Sequence, residues 1–384
     1  VKAESPFYVP GLLDFLGGLV SRFPQQWLGL GNLETFVLAT ELAPIAVKQP
    51  LFVCGLARAG STLLHEVICS HPGVASHRLK DFPFLSTPYW WRRATSAVRA
   101  SEPRERPHGD RMMVTSESPD ALEEMLWMAF FPACHDPGRD NRLGAHDRNA
   151  AFEAYYPNHI RKLLLAERAA RYAAKANYHV ARLPYLLRLF PDARIVLPVR
   201  DPVGHVSSLM RQHEWFSQGH RTSRKSLAYM RRSGHFEFGL DRRPLNLGDG
   251  LRVQEVQAAW KCGEEARGWA LYWDLVYRHL ADQLETNEAV RRATLVVRFE
   301  ELCDRPAEVL TRVLRHCELA ETNPILDKYV PAIRRPDYYR SSLSPGNEMM
   351  IRVQTRDTAS RFGLEAGGES NVGGTARRCT PVVH

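Results

Sequence analysis

Lysine is scarce. Only Lys2, Lys48, Lys80, Lys162, Lys175, Lys225, Lys261 and Lys328 occur among the 51 Lys and Arg of the 384 residues. Cysteine is sparse too: seven residues, an odd number, with no C-x-x-C pair. That excludes a disulfide framework and a cysteine-ligated zinc site, and it fits a reducing, cytoplasmic setting. Cys54 and Cys69 sit in apolar patterns that read as core. Long apolar runs are missing: none approaches the ~20 residues of a membrane-spanning helix. The nearest, Gly11–Val20, is short and carries Asp14, so it reads as a packing segment rather than a secretory leader. No internal repeat is found.

What is present suits a globular protein of two domains, or one large domain with insertions. Hydrophobic residues make up 44% and charged residues 24%, which excludes global disorder or a fibre. The net charge of +8 is carried mainly by arginine. That balance favours anionic partners, although an ordinary solvated surface would give it as well.

Apolar periodicity divides the chain. Residues 1–48 read as an N-terminal helical extension. Leu51-Phe-Val-Cys54 is a buried strand, and residues 61–70 have helical spacing. Residues 101–111 read as a loop, 120–131, 150–172 and 184–190 as helices, and Arg194–Val199 as a second strand. A helix is expected to about His213, then an irregular Arg- and His-rich lid over 216–250. One long helix spans 253–285, a strand 293–299 and a helix 306–317. The tail 365–384 reads as flexible. Alternating strands and helices predict an α/β fold: a P-loop-like three-layer α/β/α arrangement around a central parallel sheet, occupying residues 49–364. The segments 81–118 and 214–250 are its insertions.

Between the first strand and its helix lies Gly55-Leu-Ala-Arg58-Ala59-Gly60-Ser61-Thr62-Leu63. Two glycines permit a tight turn whose N–H groups, with the helix dipole, converge on one anion. A nucleoside-triphosphate loop would carry lysine after Gly60, but Ser61 stands there, and no apolar run ending in Asp supplies a magnesium ligand. Arg58 offers instead a planar fork for a tetrahedral oxyanion.

The second strand ends in Arg200-Asp201-Pro202, and Ser208 follows eight residues after Arg200. With the first loop, this resembles the sulfotransferases that use 3′-phosphoadenylyl sulfate (PAPS). In that family an R-x-G-[ST]-[ST] loop holds the 5′-phosphosulfate, and Arg and Ser of an R-[DN]-P-x5-S motif hold the 3′-phosphate. Phe190-Pro-Asp-Ala-Arg-Ile-Val and Val297-Arg-Phe-Glu-Glu-Leu302 resemble further family runs. Lys175 is similar in position to the lysine of a K-[DN]-P stretch in the tyrosylprotein branch, although Ala176-Asn177 replace the last two residues. The bacterial type, with arginine in the first loop, is the nearest in pattern. The resemblance implies PAPS as donor, no metal, cofactor binding by Arg58, Ala59, Gly60, Ser61, Thr62, Leu63, Arg200 and Ser208, and catalysis by Arg58 and Lys175.

The transfer also needs a base for the acceptor proton. Asp81, past the His71-Pro72 turn, is the first choice, and His77, Glu123, Glu124, His235 and Glu237 are rivals. Asp81 could equally pair with Arg78 or Lys80, and Glu123 and Glu124 could form a solvated helix face. Tyr89, Trp90, Trp91, Trp127 and Phe131 could shape an acceptor pocket or simply be core. The acceptor stays open among small molecules, carbohydrates, lipids and peptides. Two other functions fit less well. A P-loop kinase would want the missing lysine, and a non-catalytic anion- or nucleic-acid-binding module would want a basic stripe without interleaved acids.

Overall fold

Neither side of the run Leu51-Phe52-Val53-Cys54 touches solvent: each residue is at most 1% exposed. Leu51 and Val53 belong to a cluster with Val67, Ile68, Val196 and Leu310. Phe52 and Cys54 belong to another with Ile195, Leu197, Trp273 and Tyr277. This is the period-two alternation of a strand covered on both faces. In the computed structural model, which describes residues 5–109, 112–320, 322–335 and 343–364, the strands are β1 (Leu51–Val53), β2 (Val74–Ala75), β3 (Arg104–Glu105), β4 (Met113–Val114), β5 (Arg171–Lys175), β6 (Arg194–Val199) and β7 (Thr294–Arg298). Five of them form one parallel sheet in the order β2-β5-β1-β6-β7, and β3 and β4 make a separate hairpin. Helices Ser61–Cys69 and Pro306–His316 cover one face; Leu183–Leu189, Pro202–Thr222 and Glu265–Thr286 cover the other. The fold is the three-layer P-loop-like α/β/α architecture. The tail expected over 365–384 lies outside the described residues.

Several element boundaries differ from the sequence pattern. The helix expected over 150–172 ends at Glu167, with Arg168 capping it in a left-handed conformation at φ 53°. The next residues form β5, whose Ala173 and Ala174 pair with Leu51 and Phe52. Alanine favours a helix locally, but two small residues fit the crowded sheet centre, and tertiary pairing wins. Between 216 and 250 the irregular lid is partly helical, because Pro202 starts a helix that runs to Thr222 and a further helix spans Arg224–Ser233. The long helix expected over 253–285 is two helices, Gly250–Lys261 and Glu265–Thr286, broken at Gly263, where φ is 79°. The loop expected over 101–111 contains β3.

The N-terminal helices, Gly11–Arg22, Pro24–Val37 and Ala39–Leu42, are tied to the α/β body by a buried ion pair. Lys162 Nζ lies 3.0 Å from Glu34 Oε2, and both side chains are fully buried. The ammonium also donates to the carbonyls of Gly31 (2.8 Å) and Ser86 (3.1 Å), and Glu34 accepts from the Trp90 amide at 2.6 Å. These extra bonds offset the cost of removing two charges from water. The packing role expected of Gly11–Val20 holds for one face only. Gly17 lies against Phe82, where an added Cβ would come within 3.0 Å of the ring, and Asp14 pairs with Arg232 at 2.7 Å. On the opposite face Leu12, Phe15 and Leu19 are exposed.

Candidate active site

The loop after β1 is held in an unusual backbone shape. Gly55, Arg58 and Gly60 have φ of 122°, 72° and 98°. Only glycine visits that region without strain, so Arg58 is held there by its surroundings. A Cβ on Gly55 would come within 3.1 Å of the Pro198 carbonyl, and one on Gly60 within 3.1 Å of the Phe299 ring. Gly60 then caps the helix Ser61–Cys69. Amides of such a left-handed turn at a helix N-terminus can face one anion.

The two motifs read from the sequence meet here. Arg200 Nη1 donates to the Arg58 carbonyl at 3.1 Å, and Arg58 Nε donates to Ser208 Oγ at 3.5 Å. The Arg200 guanidinium lies over the Phe299 ring, 4.6 Å from its centre. Asp201 caps the following helix by accepting from the Gly204 amide at 2.9 Å. His205, within the second motif but not singled out in the sequence, braces the loop. Its Nε2–H donates to the Ala57 carbonyl at 2.8 Å, and its Nδ1 accepts from Trp273 Nε1 at 3.1 Å. Burial, then the positive charge of Arg200, pushes this imidazole down to about 3, so it stays neutral and keeps that tautomer.

Beside the loop opens a cleft of about 1500 Å3. It lies off the carboxyl ends of the strands, where parallel α/β folds bind ligands. Arg58, Gly60, Ser61, Thr62, Leu63, Lys175 and Arg200 line it; Ala59 and Ser208 are buried just behind. Lys175 reaches it because β5 carries the residue to that edge, in register with Val53. Burial lowers the Lys175 ammonium below the usual lysine range; Arg106 and Arg58 add to this, and Asp120 and Glu237 oppose it. Two of the groups in that balance, Asp120 and Glu237, line the cleft with His235 and Asn177. His235 Nδ1 sits 3.5 Å from Glu237 Oε2, and Asn177 donates to Glu237 Oε1 at 2.6 Å. Burial works to lower the His235 imidazole, but Glu237 and Asp120 outweigh it and leave it above the ordinary histidine range. Glu237 is held down to about 2, its burial overcome by His235 and Asn177. The arrangement joins cations for an anionic ligand to a histidine–carboxylate pair able to move a proton.

Asp81, the first choice as base, is not in the cleft. It is fully buried in an ion pair, with Oδ2 2.6 Å and Oδ1 3.2 Å from Arg92, and its Oδ2 accepts the Arg78 amide at 2.9 Å. Arg92 also bonds Glu167 and the Ser76 carbonyl. Burial alone would raise this carboxyl; His77 and Arg92 prevail and hold it well below the carboxylate range. No tertiary ion pair of this kind is visible in a local sequence window. His77, Glu123 and Glu124 are buried as well and do not line the cleft. Glu123 accepts from Tyr172 at 3.0 Å and from Tyr156, whereas Glu124 pairs with Arg182 and with His135 at 2.8 Å. Glu124, Cys134 and His135 bring possible metal ligands within 4.8 Å of one another, but Arg182 already neutralises the glutamate.

Asp81→Asn is therefore expected to lower stability rather than chemistry. Breaking one side of a buried pair costs about 3 kcal/mol. A carboxyl with a depressed pKa gives stability above the ordinary carboxylate pKa, and that stability is lost as pH falls through the folded value. Wild type should thus lose this contribution on the acid side, and the variant should lack it at neutral pH. Urea unfolding tests this; an unchanged midpoint with abolished turnover would restore Asp81 as the base.

Much of the remaining cleft lining is apolar. The segments 81–118 and 214–250 contribute Phe82, Trp91, Phe216 and Tyr229 to its lining. Trp127 is core instead, with Arg182 stacked 4.0 Å from its ring centre, and Phe131 packs against it. Sequence reasoning missed the N-terminal contribution: Pro6–Pro10 and Leu13 also line the cleft.

The family model described as "Sulfotransferase family" matches residues 50–239, spanning both motifs and the His235–Glu237 pair. The chain belongs to the sulfotransferase family and is a transferase. Among solved structures it is similar to a sulfotransferase of Mycobacterium tuberculosis H37Rv: 15% identity, 94% of this chain and 88% of that chain covered, TM-score 0.47. A sulfotransferase of Mycobacterium avium shares 16% identity over 88% of this chain and 83% of its own, with a TM-score of 0.49. No curated protein matches the sequence.

Proposed function

We propose that the chain moves a sulfuryl group from PAPS to a hydroxyl or amine of an acceptor held in the apolar half of the cleft. The carrying observation is the direct bonding of the two motifs, Arg200 to the Arg58 carbonyl and Arg58 to Ser208. The residues suit a donor with phosphates at two ends. The loop has no Cβ at Gly60, two arginines flank it, and the Lys175 ammonium has no hydrogen-bond or ion-pair partner among the described residues. When bound, the donor supplies SO3 on a phosphate leaving group. Loop amides 59–62, Leu63, Arg58 and Lys175 would hold the negative charge that grows on the bridging oxygen, and preorganised donors there lower the barrier. Arg200 and Ser208 would hold the 3′-phosphate. His235, oriented through Nδ1 by Glu237, would take the acceptor proton at Nε2.

Calorimetry with 3′-phosphoadenosine 5′-phosphate and with ADP tests the donor half. The wild type should bind the first and not the second. Arg200→Ala should weaken binding about 10- to 150-fold, the worth of one charged hydrogen bond. A preference for ADP with magnesium dependence would overturn the reading in favour of a P-loop kinase.

A further inference from the structure

Of sixteen large hydrophobic side chains exposed among the described residues, nine fall between residues 8 and 37. Single exposed apolar residues are ordinary; such a concentration is not. On helix Gly11–Arg22, Leu12, Phe15 and Leu19 recur at i, i+3 and i+7, the first two at 70% and 66% exposure. On helix Pro24–Val37, Leu30, Leu33 and Phe36 do much the same, and Phe36 is 79% exposed. A water-facing helix normally carries charge on its outer face. Helix Pro24–Val37 exposes none, because its one charged residue, Glu34, is buried against Lys162. On the first helix Asp14 is paired with Arg232, which leaves Arg22 as the exposed charge.

We propose that these two helices dock the protein on an anionic lipid bilayer. Charge complementarity selects that partner. Around the apolar face three of the exposed charges are basic, Arg22 and then Arg224 and Lys225 of the helix Arg224–Ser233, which packs on the first helix, against one exposed acid, Glu41, on the short helix that follows Pro24–Val37. Lys225 Nζ lies 3.6 Å from where a Cβ on Gly11 would stand. An apolar helix face rimmed by basic residues is the chemistry of an interfacial helix lying in the headgroup layer. The location adds a second argument. Leu13, on the inner side of the same helix, and Pro6–Pro10 line the cleft, so docking brings the cleft mouth beside the headgroups. The inference does not depend on the donor or the residue roles proposed above.

Flotation with vesicles tests it. The wild type should float with vesicles of equal parts phosphatidylglycerol and phosphatidylcholine, and much less with pure phosphatidylcholine. The triple variant Leu12→Ser, Phe15→Ser, Phe36→Ser should lower partitioning by at least about tenfold with an unchanged urea midpoint. Arg22→Glu with Lys225→Glu should abolish the preference for phosphatidylglycerol. Absence of flotation by the wild type would overturn the proposal. So would a wild-type dimer in sedimentation velocity that the triple variant converts to monomer, since a second copy would then cover this face.

Discussion

His235→Ala should lower kcat by about 10^2- to 10^4-fold, the usual worth of a positioned general base, and leave binding of 3′-phosphoadenosine 5′-phosphate almost unchanged. The pH dependence separates this role from a structural one. A base works only when unprotonated, and His235 is held above the ordinary histidine range by Glu237 and Asp120. In the wild type kcat/KM should therefore rise with pH along a limb displaced to the alkaline side of a free histidine. Glu237→Gln removes the nearest negative charge, so the limb should move to lower pH while kcat falls through lost orientation. If His235→Ala keeps the same ascending limb and most of kcat, the base is elsewhere; Asp120, also in the cleft, is then the next residue to replace.

How much of this was legible depends on how far each signal reaches along the chain. The loop at Gly55–Thr62 and the Arg200–Ser208 motif are local. Glycine positions, a helix start and a strand end are written within about ten residues, and the sheet brings their side chains together. The three-layer fold followed from the same alternation, and β1, β6 and β7 fell close to their expected places. The strand that carries Lys175 was hidden, because Arg171-Tyr-Ala-Ala-Lys175 has weak strand character of its own and becomes a strand by pairing with β1 and β2. The burial of Asp81 was hidden for a related reason. Its partner Arg92 lies eleven residues on, across a 3-10 turn and a helix start, and no spacing rule links them. His235 and Glu237 were visible as a pair two residues apart, but nothing in sequence ranked them above the buried Glu123 and Glu124. What separates the two pairs is which one the packed helices leave facing the cleft.

Lys175→Met gives an expected result with two signs. Removing one preorganised cation from the bridging oxygen should cost about 10^2- to 10^3-fold in kcat. The same change should raise stability. Burial, together with Arg106 and Arg58, lowers the Lys175 ammonium, which means that the fold works against the charge it holds. A group depressed in this way destabilises the folded state while it is protonated, and methionine fills similar volume without that cost. The pH profile supplies an independent check. Lys175 should lose its proton at lower pH than a free lysine, so the wild-type rate should fall on the alkaline side, and the variant should lack that fall. Lys175→Arg keeps a charge but replaces a compact ammonium with a planar fork, so it should restore only part of the rate. A purely structural lysine would behave in the opposite way: the methionine variant would lose stability and keep its turnover. Higher stability with lower kcat is the pattern of a site that stores an unpaired charge for a ligand. An unchanged alkaline limb with kcat within a few-fold of wild type would remove Lys175 from the mechanism.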